Sequence, residues 1–383
     1  MVYLDNSATT KPWTEVLDTF YKAASSYYGN PSSLHHPGLE AETLMQKARE
    51  SLASLLHTKP EELVYTSGGT ESNNLAIKGI AMKHRDRGQH LVTSTVEHPS
   101  VKEAFLELES FGFDVTYVPV DARGRIDPEE VENAVREDTT LVSIIHVNNE
   151  IGTIQPIEEI GRRLARYPKL YFHTDHVQGA AHVPLDLSQS FVDLCTISGH
   201  KFHGLKGTGA LYTKQGVYLS SLFHGGTQEQ AARAGTENVP GIVAMSKALR
   251  MSREKQSDDK GRLSSLKEYL MERLQKIDGA IVNTPIYGSA PHIINVSFPE
   301  MKPEVLVQEL TRHSIHVSTK SACSSKLQEP SAVIKAAGLG EKRAASAIRI
   351  SFSFDTTQEE IDRLLAVLNS NVPEMQKVMG EKK

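Results

Sequence analysis

The 383-residue sequence predicts an open α/β fold, a mostly parallel sheet covered by helices, followed by a smaller α+β domain. Three observations carry this. Short apolar runs alternate with longer amphipathic stretches. The runs are apolar on both faces, as strands buried in a parallel sheet are. After about residue 250 the pattern changes to a long charged, helix-prone stretch and then to fewer strands interleaved with helices.

In chain order, Glu62-Leu63-Val64-Tyr65-Thr66 reads as a strand, with a helix over 72–84. The runs 90–94 and 114–118 are strands around a helix at 100–110, and 141–145 is a strand after a helix at 128–136. A helix near 156–166 leads into Leu170-Tyr171-Phe172-His173-Thr174, and Asp193-Leu194-Cys195-Thr196-Ile197 is another strand. Residues 251–276 form one long helix-prone stretch. Beyond it, strands are predicted at 293–298, 314–318 and 347–353, and helices at 303–312, 330–337 and 357–369. The boundary falls near 255, which gives a large domain over 13–255. The smaller α+β domain then comprises 256–383 with the first dozen residues, 1–12.

Hydrophobic residues make up 39% and charged residues 23%, which excludes wholesale disorder. A net charge of −5 gives no support to a generic nucleic-acid or anionic-membrane surface. No apolar run approaches the roughly 20 residues that span a bilayer. The opening Met1-Val2-Tyr3-Leu4-Asp5-Asn6 lacks the basic and apolar regions of a signal peptide. Two cysteines, Cys195 and Cys323, exclude a disulfide framework. A cytoplasmic protein is expected.

Four segments bring chemistry to strand ends. In Ser198-Gly199-His200-Lys201 an apolar strand delivers a lysine at a sheet edge, where partial desolvation favours the neutral, carbonyl-attacking amine. Taken alone, Lys201 is equally a lysine snorkelling to solvent. Asp175, in Thr174-Asp175-His176-Val177-Gln178, is a strand-end carboxylate that must be paired if buried. Strand alternation places Asp175 and Val177 on one side, and a simple capping role stays open. Ser67-Gly68-Gly69-Thr70 joins a strand to a helix start, where free N–H groups favour an anion; by itself an ordinary helix cap accounts for it. In Ser321-Ala322-Cys323-Ser324-Ser325 the thiol sits among small polar residues with Lys320 and Lys326 nearby, a setting that favours its thiolate. Weaker signals are His98 after a strand, Asn149 in His146-Val147-Asn148-Asn149-Glu150, Thr236 after Arg233-Ala234-Gly235, and Arg349 on an apolar strand. His173, Asp175 and His176 look like metal ligands, but on a strand His176 faces away from the other two.

Together the phosphate cradle, the histidine, the acid and the lysine occupy the ends of successive strands, where ligands bind in open α/β sheets. At this point the sequence resembles the cysteine desulfurases of the NifS/IscS type, class-V aminotransferases among the fold type I enzymes of pyridoxal 5'-phosphate (PLP). The resemblance runs from Tyr3-Leu4-Asp5-Asn6-Ser7-Ala8-Thr9-Thr10 through Gly29-Asn30-Pro31-Ser32-Ser33 to Ser346-Ala347-Ile348-Arg349. Ser198-Gly199-His200-Lys201 is similar to the family's PLP-lysine motif. Ser321-Ala322-Cys323 with Glu329-Pro330-Ser331 is similar to its catalytic-cysteine loop, in the spacing of members with the longer loop.

The resemblance implies a seven-stranded, mostly parallel sheet in a PLP-binding domain. It implies that Lys201 holds PLP covalently, that Asp175 pairs with the ring nitrogen and that Gln178 reaches the ring hydroxyl. His98 covers the ring and moves protons. Gly69, Thr70, Ser198 and His200 bind the phosphate, with Thr236 arriving from the partner subunit of a homodimer. Asn149 and Arg349 hold the carboxylate of L-cysteine, Lys201 takes its Cα proton, and the Cys323 thiolate accepts the sulfur as a persulfide, leaving L-alanine. An acceptor protein, an iron–sulfur scaffold or a tRNA-thiolating enzyme, then receives the sulfur.

Three departures from the family pattern stand out: His176 after the ring-pairing acid, Thr319-Lys320 before Ser321, and an end at Met379-Gly380-Glu381-Lys382-Lys383 without a longer extension. The competing readings are a PLP aminotransferase or C–S lyase that does not use Cys323, and a non-catalytic sulfur-relay protein.

Overall fold

The computed structural model describes residues 1–299, 301–319 and 329–380. Its strands in chain order are β1 (Val2–Tyr3), β2 (Leu63–Thr66), β3 (His90–Ser94), β4 (Asp114–Val118), β5 (Thr139–Ile145) and β6 (Tyr171–Asp175). They continue with β7 (Leu194–Ser198), β8 (Gly209–Thr213), β9 (Ile281–Val282), β10 (Ile293–Ser297), β11 (Ile315–His316) and β12 (Ala347–Ser351).

The large sheet has seven strands in the order β2-β8-β7-β6-β5-β3-β4. All pairings from β7 to β4 are parallel, and β8 alone runs against its neighbours. Every residue of β3, β5 and β7 is buried, the signature of a parallel sheet covered on both faces. Helices Gly69–Lys83, Pro99–Ser110, Pro128–Asn133 and Ile157–Leu164 alternate with these strands.

A three-stranded antiparallel sheet, β12-β10-β9, and the parallel pair β1-β11 form the smaller part. The first residues of the chain join it: Ser351 N–H donates to the Leu4 carbonyl at 2.7 Å, and β1 pairs with β11. One buried apolar cluster runs from Phe172, Ile197 and Phe202 to Val296, Ile348 and Phe352.

Three differences from the sequence reading have physical reasons. Strand β8 was not expected; its five residues follow the glycine-bounded stretch Gly204–Gly207 and run antiparallel, outside the strand–helix alternation. The single helix-prone stretch 251–276 is two helices, Val239–Asp259 and Arg262–Leu274, separated where Lys260 and Gly261 take φ of 46° and 88°. Residue 255 therefore lies within a helix. The helix expected over 330–337 is present as Ala332–Ala336, capped by Ser331 Oγ, and a further short helix, Glu341–Ala345, which was not expected, follows it.

Candidate active site

Five strands of the large sheet end at one edge, and the residues just past them meet. Gly69 and Thr70 follow β2, His98 follows β3, Asn149 follows β5, Asp175 closes β6, and Ser198, His200 and Lys201 close or follow β7. With Ser7, Ala8, Gln178 and Arg349 they line a cavity of about 640 Å³.

Lys201 ends the short turn Gly199–Lys201, which tips its side chain over the sheet edge. Its Nζ donates to the carbonyls of Ser7 at 2.5 Å and Ala8 at 2.8 Å. Gln178 Nε2 donates to the same Ser7 carbonyl at 3.0 Å.

Asp175 is buried at the end of β6. Its Oδ1 accepts from Val177 N–H at 2.9 Å and its Oδ2 from Asn73 Nδ2 at 2.8 Å. Burial pushes its carboxyl above the usual range, while those two bonds and the charge of Lys201 act against the rise. Val177 lines the cavity beside it. His176 turns away and meets His146, Nδ1 to Nδ1, at 2.7 Å.

His98 is the N-cap of helix Pro99–Ser110. Its Nδ1 accepts the Ser100 backbone N–H at 3.1 Å and lies 2.7 Å from Ser100 Oγ. Burial, reinforced by the positive charges of Lys201 and Arg349, pushes its pKa down to about 4, so the ring is neutral near pH 7.

The turn after β2 leaves room for an anion. Gly68 takes φ of 151°, a backbone state open to glycine. A Cβ on Gly69 would lie 2.9 Å from Val177 Cγ2 and 3.5 Å from Ser198 Cβ. The first N–H groups of helix Gly69–Lys83 have no partner within the helix. Ser198 Oγ is buried in the same wall with no hydrogen-bond partner among the described residues. His200 completes this side, its Nδ1 3.2 Å from Thr9 Oγ1.

Arg349, in the middle of β12, is 1% exposed. Nη1 donates to the Asn149 carbonyl at 2.8 Å and Nη2 to Asp5 Oδ1 at 3.1 Å, while Nε has no partner among the described residues.

The cavity thus gathers Gly69, Thr70, His98, Asn149, Asp175, Gln178, Ser198, His200, Lys201 and Arg349. Thr236 lies outside it and lines a second cavity with Ser67, Gly209 and Arg233. Cys323 lies outside the described residues. Among the described residues no group of three or more potential ligands could hold a metal ion, and no helix is long and apolar enough to cross a membrane.

Sequence reasoning missed Asn73, Ser100, Asp5 and the carbonyls of Ser7 and Ala8. The last two act through the backbone and carry no side-chain signal. Asn73 sits inside a helix, where its residue type announces nothing.

An anion cradle, an amine and a buried acid around one cavity fit a phosphorylated aromatic aldehyde. The unpartnered Ser198 Oγ can donate to a phosphate, and the Asp175 carboxylate suits a ring N–H. Both features define a PLP-dependent enzyme of the open α/β class.

The class-V aminotransferase family model matches residues 2–364. A cysteine desulfurase IscS of Dictyoglomus turgidum is 42% identical over 378 residues, covering 98% of this chain and 96% of that protein. A human cysteine desulfurase is 42% identical over 365 residues, covering 94% and 79%. Among solved structures, a NifS-like protein superposes with a TM-score of 0.92 at 39% identity, covering 97% of this chain and 99% of that one. A structure described as SspA in complex with cysteine gives 0.80 at 35% identity, covering 92% and 99%. The chain belongs to the class-V aminotransferase family, among its IscS/NifS-type cysteine desulfurases.

Proposed function

We propose that the protein converts L-cysteine to L-alanine with PLP and passes the sulfur through a persulfide on Cys323 to an acceptor protein. The observation that carries this is the meeting of Lys201, Asp175, His98 and Arg349 around one cavity at the carboxyl edge of the sheet.

When bound, PLP supplies an aldehyde that condenses with amines and a protonated ring that withdraws electrons from Cα of an amino acid. Lys201 is the residue that would hold it, with Gly69, Thr70, Ser198 and His200 around its phosphate and Asp175 on its ring nitrogen. Gln178 would reach the ring hydroxyl, and Thr236 would join from the second copy of a homodimer. Arg349 would present Nε, an N–H with no partner among the described residues, to the substrate carboxylate beside Asn149. The amine of Lys201 then takes the Cα proton, and the Ser7 and Ala8 carbonyls hold its charged form. Neutral His98 would cover the ring and serve proton transfer. The Cys323 thiolate attacks the substrate sulfur: an S–S bond forms, the C–S bond breaks, and the three-carbon product leaves as alanine after protonation.

The division into a large domain over 13–255 and a small domain over 1–12 and 256–383 is part of this reading, as is a cytoplasmic location. An iron–sulfur scaffold or a tRNA-thiolating enzyme is the proposed acceptor.

The test follows the sulfur. After incubation with isotopically labelled cysteine and digestion, mass spectrometry should place the extra sulfur, about 32 to 34 mass units, on the peptide of Cys323. Cys323→Ala should abolish that label. Full alanine production by Cys323→Ala would overturn the persulfide on Cys323. Loss of alanine in the wild type in favour of free sulfide with a 2-oxo acid would identify a C–S lyase, and a thiol-bearing 2-oxo acid an aminotransferase.

A further inference from the structure

Asn73 lies in the second turn of helix Gly69–Lys83 and is 1% exposed. Its Nδ2 gives one hydrogen to Asp175 Oδ2 at 2.8 Å and the other to Ser100 Oγ at 2.9 Å. An ionised carboxylate only accepts, so the nitrogen of the amide must face Asp175. Its Oδ1 has no partner among the described residues, so the two donated bonds set the orientation of the side chain.

Ser100 Oγ, already accepting from Asn73, turns its own hydrogen toward His98 Nδ1 at 2.7 Å. The Ser100 backbone N–H reaches the same nitrogen at 3.1 Å. A ring nitrogen that accepts twice carries no hydrogen. Neutral His98 therefore bears its hydrogen on Nε2.

We propose that Asn73 is a positioning residue of this site: through Ser100 Oγ it directs a second hydrogen onto His98 Nδ1 beside that of the Ser100 backbone, holding the Nε2–H form, and directly it donates to the Asp175 carboxylate and so favours its charged form. One amide thereby sets both the acid beneath the cofactor ring nitrogen and the proton-handling imidazole. The inference rests on the reading of the cavity as a PLP site. The other groups that act on Asp175 are Lys201, Glu97 and Cys195, and those on His98 are Lys201 and Arg349. None of them is changed by substitution at Asn73 or Ser100.

The test uses the full chain with Asn73→Ala, Asn73→Asp and Ser100→Ala. In the cofactor-free protein, nitrogen-15 spectra of the imidazoles should show His98 as the Nε2–H form. Ser100→Ala and Asn73→Ala should both move its Nδ1 resonance, in the same direction. The dissociation constant of PLP should rise about tenfold in Asn73→Ala, the worth of a hydrogen bond to a charged group. It should rise further in Asn73→Asp, which sets acceptor against acceptor, and stay within about twofold in Ser100→Ala.

A packing role gives a different order, because aspartate has the shape of asparagine. Wild-type PLP affinity in Asn73→Asp overturns the proposal, as does a wild-type His98 in the Nδ1–H form. Should the Asn73 variants not fold, an unmoved His98 resonance in Ser100→Ala overturns it alone. If the wild type takes up no PLP, the functional reading falls, while the His98 spectrum still decides the network.

Discussion

Ser318 and Arg349 are joined through their backbones in both directions. The Ser318 N–H donates to the Arg349 carbonyl at 3.1 Å, and the Arg349 N–H donates back at 2.6 Å. Arg349 is the cation proposed to receive the substrate carboxylate. Cys323 follows Ser318 by five residues, a span of at most about 17 Å of extended chain. The chain leading to the proposed sulfur acceptor thus departs from the wall of the cavity. On its other side, Ser331 Oγ donates to Glu150 Oε2 at 2.5 Å, next to Asn149.

Arg349→Lys keeps a charge but not the fork of donors that reaches Asn149 and Asp5 at once. KM for cysteine should rise about 10- to 100-fold, with a smaller effect on kcat. Steady-state rates of alanine formation measure this, and an unchanged KM would remove Arg349 from substrate binding.

Asp175→Asn preserves shape and the contact with Val177 but cannot hold a positive ring nitrogen. Alanine formation should drop by about 10² or more, each decade corresponding to about 1.4 kcal/mol of barrier. Visible absorbance of bound cofactor should persist, which separates lost chemistry from lost binding. Lys201→Ala should lose both.

Asp5 is the carboxylate that faces the buried Arg349 guanidinium, with side-chain exposures of 19% and 1%. Removing one member of such a pair strands a buried charge. Asp5→Ala should lower stability by about 2–3 kcal/mol, less than for a fully buried pair because Asp5 retains some solvent. Urea unfolding followed by circular dichroism gives the number, and no change in the midpoint would mean that the Asn149 carbonyl suffices.

Buried imidazoles set the response to acid. Burial lowers the pKa of His146 to about 4 and of His173 and His182 to about 3, and it holds His176 and His292 well below the ordinary value. Their unfolded pKa is about 6.5. Below that pH the unfolded chain binds more protons than the folded one, so stability is full above about 6.5 and is lost as the pH falls through 4. Glu97 has the opposite sign: burial raises its carboxyl to about 8, so its contribution is present below about 4.5 and lost as the pH rises through 8. Tm recorded against pH should fall steeply from pH 6.5 to 4, and Glu97→Gln should flatten the curve between pH 6 and 8. A flat acid limb would show that these rings already find proton acceptors in the folded state.

Much of this site is legible in the sequence because its side chains sit where strand periodicity ends. Asp175 closes the largely buried strand β6 and Lys201 ends the turn just past the buried strand β7, and a charged residue in such a place needs a reason. The alternation rule also put Val177 into the cavity with Asp175 and turned His176 out of it, where Gly179 gives the paired rings room: a Cβ there would lie 2.4 Å from His176 Nδ1. The supporting contacts left no such trace. Ser7 and Ala8 act through carbonyls, and Asn73 and Ser100 are ordinary helix residues until the two helices stand side by side. Asp5 and Arg349 are opposite charges at the two ends of the chain, and only the pairing of β1 with β11 and of Leu4 with Ser351 makes them neighbours.

That last pairing has a consequence for how the molecule is made. Asp5 and Arg349 are 344 residues apart. At roughly 5–20 residues per second, a ribosome needs about 17 to 70 s between one and the other. That interval gives the large sheet time to fold while the cavity still lacks a wall and the guanidinium. The cation proposed to receive the substrate carboxylate is therefore supplied only once residue 349 has been made, and a product cut short before it should not liberate sulfur.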